Sequence, residues 1–163
     1  MDQQKIYKTI IIGISMKKIF IYFSQTGNGD LVANTLPENI EKRKVNMKKK
    51  LPKRFFFMVL TGGFLAGINA KSRLVDFNND VSEYEEIIIG SPIWNGKFSS
   101  PINTVLSKID LNNKKLSFIL YSGSGEAPKT INTINKKYPN SNVIILKEPI
   151  KNKEELDKLN EIQ

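Results

Sequence analysis

Four short runs of β-branched and aromatic residues recur along the chain, and their spacing limits what it can fold into. They are Ile19–Phe23, Glu86–Gly90, Leu116–Tyr121 and Asn142–Leu146, each bounded by polar residues. A continuous apolar run of this length suits a strand buried on both faces, as in a parallel sheet. The weaker Lys44–Lys48 reads as an edge strand. Between the runs lie segments with helical character: Asp30–Asn39, Gly63–Lys71, Ser100–Lys108, Ala127–Lys137 and Lys153–Gln163. Strands that alternate with helices imply βαβ units, a parallel sheet and right-handed crossovers. The expected class is therefore α/β. At 163 residues with 40% hydrophobic side chains, the chain is sized for one packed core. Met16 reads as a second beginning. Residues 1–15 are set apart as an N-terminal extension, either a genuine arm or a stretch upstream of the natural start, and 16–163 form the expected domain.

Two absences remove whole classes of chemistry. The chain has no cysteine and no histidine. Disulfides, thiolate metal sites, cysteine nucleophiles, Ser-His-Asp triads and His-based zinc sites are excluded together. The sixteen acidic residues form no spaced cluster for a hard cation. No metal site and no side-chain catalytic group are expected, so redox or transfer chemistry would have to come from a bound organic cofactor. The longest apolar runs are about 5–6 residues, against about 20 for a membrane span. With no convincing leader, a cytoplasmic protein is expected and membrane association is not.

The loop after the first strand is Ser24-Gln25-Thr26-Gly27-Asn28-Gly29-Asp30, and it opens directly into a helical segment. A helix start presents unpaired N–H groups and the positive end of its dipole. Glycine lets backbone approach an oxyanion closely, and Ser24, Thr26 and Asn28 add side-chain donors. The result is a phosphate cradle built from neutral groups. It lacks the Lys-Ser/Thr ending of a P-loop and the G-x-G-x-x-G spacing of a dinucleotide site. The same letters also make an ordinary N-cap turn, and the loop alone does not choose between the two.

Strand–Ser24-x-Thr26-Gly27-Asn28–helix resembles the phosphate-binding loop of flavodoxins, whose pattern is Ser/Thr-x-Thr-Gly-x-Thr. The final Thr is Gly29 here, so a backbone N–H or Asn28 must make up the lost donor, or phosphate is held more weakly. Ser91-Pro92-Ile93-Trp94-Asn95-Gly96 is similar to the flavin-flanking loop of short flavodoxin-like proteins, and it contains the only tryptophan. A lone Trp also serves as a plain packing anchor. Ser122-Gly123-Ser124-Gly125 would by resemblance be the third flavin loop, although it reads equally as a plain strand-to-helix connection.

The resemblance implies a flavodoxin-like three-layer α/β/α sandwich whose five-stranded parallel sheet has the order 2-1-3-4-5. It implies one FMN, held by the three loops, with an electron-transfer role. An FMN-dependent NAD(P)H oxidoreductase acting on quinones or related acceptors is the alternative. It further implies that a peptide in the Asn95-Gly96 loop flips when the first electron arrives. Well-known flavodoxins are acidic, whereas this chain has a formal charge of +9. Its redox partner proteins are therefore expected to be acidic, and its low-potential couple less negative than in acidic relatives. Lys42–Arg54 carries eight Lys or Arg in thirteen residues. It has no interleaved aromatics, so nucleic acid is not an expected partner. A solvated face or a docking patch are the two readings of that run.

Overall fold

The computed structural model describes residues 16–48 and 70–162. The N-terminal extension lies outside the described residues, as do most of the expected helix Gly63–Lys71 and the part of the basic run beyond Lys48.

Five parallel strands form the sheet: β1 (Lys18–Tyr22), β2 (Ile40–Lys44), β3 (Glu86–Trp94), β5 (Lys115–Ser122) and β6 (Asn142–Lys147). A two-residue strand, β4 (Lys97–Phe98), folds back antiparallel on β3. The order across the sheet is β2-β1-β3-β5-β6, which is 2-1-3-4-5 once β4 is set aside. The helices are α1 (Asn28–Thr35), α2 (Ser100–Leu106), α3 (Pro128–Lys137) and a closing 3-10 helix, Lys153–Ile162.

The strands read as unbroken apolar runs because both faces of the sheet are covered. Ile19, Ile21, Ile87, Ile89, Phe118 and Leu120 face one way, onto Ile102 and Val105 of α2 and Ile134 of α3. The alternate residues Phe20, Tyr22, Ile88, Ile119, Tyr121 and Ile144 face the other way, onto Val32 and Ala33 of α1 and Leu159 and Ile162 of the 3-10 helix. At the amino edge, the buried Glu86 carboxylate accepts from Ser117 Oγ (3.0 Å) and pairs with Lys18 (3.4 Å) and Lys115 (3.3 Å). One acid thus ties three strands at the end opposite the carboxyl-edge loops.

Three boundaries differ from expectation. The edge strand is Ile40–Lys44, not Lys44–Lys48. Its sequence Ile-Glu-Lys-Arg-Lys hides the strand because an edge needs one apolar anchor, and Ile40 supplies it against the α1 side. Helix α1 ends at Thr35 rather than running to Asn39. Leu36 is extended (φ −64°, ψ 146°), as a residue before proline prefers. Strand β3 continues four residues past Gly90, so Ser91–Trp94 is strand, not loop.

Raised tyrosines make stability sensitive to alkali, and two of them lie near 12. Burial first, and then the Asp30 carboxylate, pushes Tyr22 up to about 12. Burial and then Glu41 do the same for Tyr84, again to about 12. In the unfolded chain both titrate at about 10. A folded pKa above the unfolded one gives stability that is complete below the unfolded value and lost as pH climbs through the folded one. Stability should therefore hold to about pH 10 and fall between there and about 12. Denaturant midpoints measured across that range test this, and the Tyr22→Phe, Tyr84→Phe double variant should show a shallower alkaline limb.

Candidate functional site

Register alone gathers the three loops. Tyr22 pairs with Gly90 and with Lys44, Pro92 with Tyr121, and Ser122 with Lys147. β1 ends level with Gly90 and Ile119, β3 and β5 run on to Trp94 and Ser122, and the segments after β1, β3 and β5 share the carboxyl edge, where open α/β sheets bind ligands. Contacts there join the first segment to the second and to the turn after β6. The Phe23 N–H donates to Gly90 O (3.1 Å). The Phe23 ring meets Trp94 edge-on, with centroids 5.9 Å apart and planes at 86°. The Ile150 N–H, from the turn after β6, donates to Asn28 Oδ1 (3.0 Å).

In the first loop, Gly27 is the N-cap of α1 and holds φ at 90°. Its carbonyl takes the Leu31 N–H (2.9 Å), and Ser24 Oγ accepts from the Asp30 N–H (3.3 Å). The amides of Asn28 and Gly29, first and second in the helix, have no intrahelical acceptor. Asn28 Nδ2 donates to Thr26 Oγ1 (3.3 Å), so Asn28 braces the loop from both ends of its amide. Thr26 is exposed, and Gln25 and Gly27 are half-buried. The only acid in the first turn of the helix, Asp30, is balanced within the fold by Lys44 (2.7 Å) and by the Tyr22 hydroxyl (3.2 Å).

The second segment is a hairpin. Trp94 pairs with Lys97 across a two-residue turn, with φ of 50° at Asn95 and 70° at Gly96. Positive φ at both positions is the type I′ pattern that Asn-Gly favours. That signal is present in the sequence, beside the flipping peptide that the resemblance implies. The Thr130 hydroxyl of α3 donates to Gly96 O (2.8 Å) and fixes that carbonyl. Ser91 is fully buried. Its hydroxyl donates to Pro92 O (2.9 Å) and accepts from the Ser99 N–H (3.3 Å), so it braces the hairpin from inside. Pro92, Ile93 and Trp94 are half-buried, while Asn95 is exposed.

The third loop is also internally braced. Ser122 Oγ donates to Glu126 O (2.7 Å), and Ser124 Oγ accepts from the Glu126 N–H (3.2 Å). Gly123 and Ser124 are exposed. Lysine stems lie along two of the loops: Lys129 against Gly96 and Lys147 against Gly125.

Neutral donors at a helix start, an aromatic ring beside them and an exposed Gly-Ser loop form a donor set for a phosphate joined to a flat heterocycle. Two features lay beyond the sequence reading. One is the lysine collar, whose members come from α3 and β6. The other is Tyr121, whose buried hydroxyl has no hydrogen-bond partner, a state shared by no other buried side-chain polar atom among the described residues.

The chain belongs to the flavodoxin family: the family model described as flavodoxin matches residues 65–160. Three solved structures are similar. A flavoprotein of Lactobacillus acidophilus NCFM in complex with FMN is 20% identical, with 80% of this chain and 91% of that one covered at a TM-score of 0.62. A candidate flavoprotein of Bacteroides eggerthii DSM 20697 is 16% identical, with 90% and 97% covered at a TM-score of 0.65. Another, from Bacteroides uniformis ATCC 8492, is 22% identical, with 85% and 97% covered at a TM-score of 0.61. At these identities the likeness establishes the fold. No curated protein matches the chain. Among the described residues no helix is long and apolar enough to cross a membrane.

Proposed function

We propose that the chain binds one FMN non-covalently at the carboxyl edge of the sheet and carries electrons between partner proteins. The observation behind this reading is the convergence of three loops: the open start of α1, Trp94 set edge-on against Phe23, and the exposed Gly-Ser loop after β5. Ser24–Gly29 would hold the phosphate through backbone N–H groups and hydroxyls. Pro92–Gly96 would flank the ring, with Trp94 as its aromatic neighbour. Ser122–Gly125 would give backbone donors to the polar edge, since the Ser122 hydroxyl is already committed to Glu126. FMN would supply the redox chemistry that a chain without Cys and His lacks. A fluorescence-quenching titration of apoprotein with FMN should saturate at one flavin per chain. Saturating FMN that leaves the apoprotein unbound overturns the proposal.

The collar of Lys129 and Lys147 suits an acidic redox partner. Association with such a partner should slow as salt is added, and a rate indifferent to salt would show that this surface does not steer.

One observation favours the enzyme as a second reading. A cavity of about 570 Å³ lies between α2 and α3, lined among others by Lys71, Lys97, Asn103, Thr130, Lys137 and Tyr138. It adjoins the hairpin through Lys97 and Thr130, and its lysines suit a phosphate-bearing donor. Anaerobic mixing of the FMN-loaded protein with NADPH separates the two: rapid bleaching of the flavin marks an oxidoreductase, and an unchanged spectrum marks a carrier.

A further inference from the structure

The first loop departs from the flavodoxin pattern at one position, and the structure shows what stands there instead. Where the pattern has a hydroxyl-bearing Thr, this chain has Gly29. A Cβ built on Gly29 would point into a tight corner, 3.0 Å from Phe23 O, 3.0 Å from Ser24 Cβ and 3.0 Å from Tyr121 Oη. The space of the missing side chain thus adjoins a hydroxyl that arrives from the opposite direction, on β5. A second glycine makes the same room. A Cβ on Gly90 would overlap Tyr121 Oη and lie 2.6 Å from the Phe20 ring. Gly29 and Gly90 form the slot into which the tyrosine tip projects.

That tip is buried and unpartnered. A buried hydroxyl without a partner is costly, and native proteins rarely leave one. Two side chains of the same loop region are engaged elsewhere. Asp30 Oδ1 holds the Tyr22 hydroxyl and Lys44. Asn28, the other candidate to replace the lost donor, is bound at both ends of its side-chain amide, to Ile150 N–H and to Thr26 Oγ1.

We propose that Tyr121 is a phosphate-binding residue of this chain: its hydroxyl, admitted by Gly29 and Gly90, supplies the hydrogen bond that a Thr at position 29 would have given. Burial, with Tyr22 and Asp30 adding to it, holds this hydroxyl in its protonated, donating form far into alkali. The proposal rests on FMN being the ligand, and the test separates the two.

Apoprotein and the Tyr121→Phe variant are titrated with FMN and, in parallel, with riboflavin, which has the ring but no phosphate. A hydrogen bond to a charged group is worth about tenfold or more in affinity. The variant should therefore bind FMN about tenfold more weakly while riboflavin binding is unchanged. Equal losses for both ligands, or no loss for either, overturn the role of Tyr121 while leaving FMN binding intact. Failure of the parent itself to bind FMN overturns the functional reading. Unfolding of the apoprotein gives an independent readout. Removing an unpartnered hydroxyl should leave the variant at least as stable as the parent, and a clear drop would mean that the hydroxyl serves the fold instead.

Discussion

Gly90→Ala should destabilise the protein by about 3 kcal/mol or more, at the upper end of what an added core methyl costs. Gly90 sits in the middle of the sheet, paired with Tyr22 on one side and Ile119 on the other. A methyl there would overlap the Tyr121 hydroxyl and approach Phe20 Cζ to 2.6 Å and Cε2 to 2.7 Å. Neither ring can yield. Phe20 is fully buried and stacked on Tyr22 with centroids 4.9 Å apart and planes within 7°. Replacing a strand glycine by alanine would ordinarily gain about 0.5–1 kcal/mol of chain entropy, but the overlap outweighs it. Urea unfolding measures the difference, with Gly123→Ala as control. Gly123 has nothing within 4 Å of a new methyl, so that variant should stay within about 0.5 kcal/mol of the parent. An unfolding curve for Gly90→Ala that overlays the parent's would refute the packing argument. Adding Tyr121→Phe should restore only part of the loss, because the Phe20 contact remains.

The same residues show why the fold was legible in the sequence and the site only partly so. Ile19–Phe23, Glu86–Gly90 and Leu116–Tyr121 announce themselves because burial on both faces demands an unbroken apolar run. Ile40–Lys44 does not, because an edge strand needs only Ile40 inside and leaves charged letters outside. The first loop was legible because a helix start with glycine and hydroxyls is a local pattern, and local patterns survive in sequence. The hairpin at Asn95-Gly96 carries an equally local signal, an Asn-Gly pair between strand residues. Tyr121 had no local signal. Its role depends on two glycines, one 31 and the other 92 positions away in the chain, and on a hydroxyl left without a hydrogen-bond partner. Such a coincidence exists only after the sheet has formed. The lysines along Gly96 and Gly125 are of the same kind, since net charge predicts a basic surface without saying where it lies.

Gly27→Val should lower FMN affinity by about a hundredfold, the equivalent of about 2.7 kcal/mol, while the fold survives. Backbone angle rather than space sets the effect. A Cβ at this position meets only Ile150 Cδ1, at 2.9 Å, the tip of a flexible side chain that is 46% exposed and free to move. The φ of 90° does not move so readily. It lets the chain turn from Ser24 into α1 and sets the directions of the Asn28 and Gly29 amides, the two helix N–H groups left open for an anion. A β-branched residue at positive φ costs about 1–3 kcal/mol, and the loop relieves that strain by rotating those amides. Gly27→Asn separates the causes. Asparagine occupies the left-handed region with little penalty, yet its Cβ is as large as valine's at the point of contact. A variant with Asn should therefore keep FMN affinity to within about tenfold, or about 1.4 kcal/mol. If Asn and Val impair binding equally, steric contact with Ile150 is the cause and the angle is not. If neither impairs it, the start of α1 does not hold the phosphate.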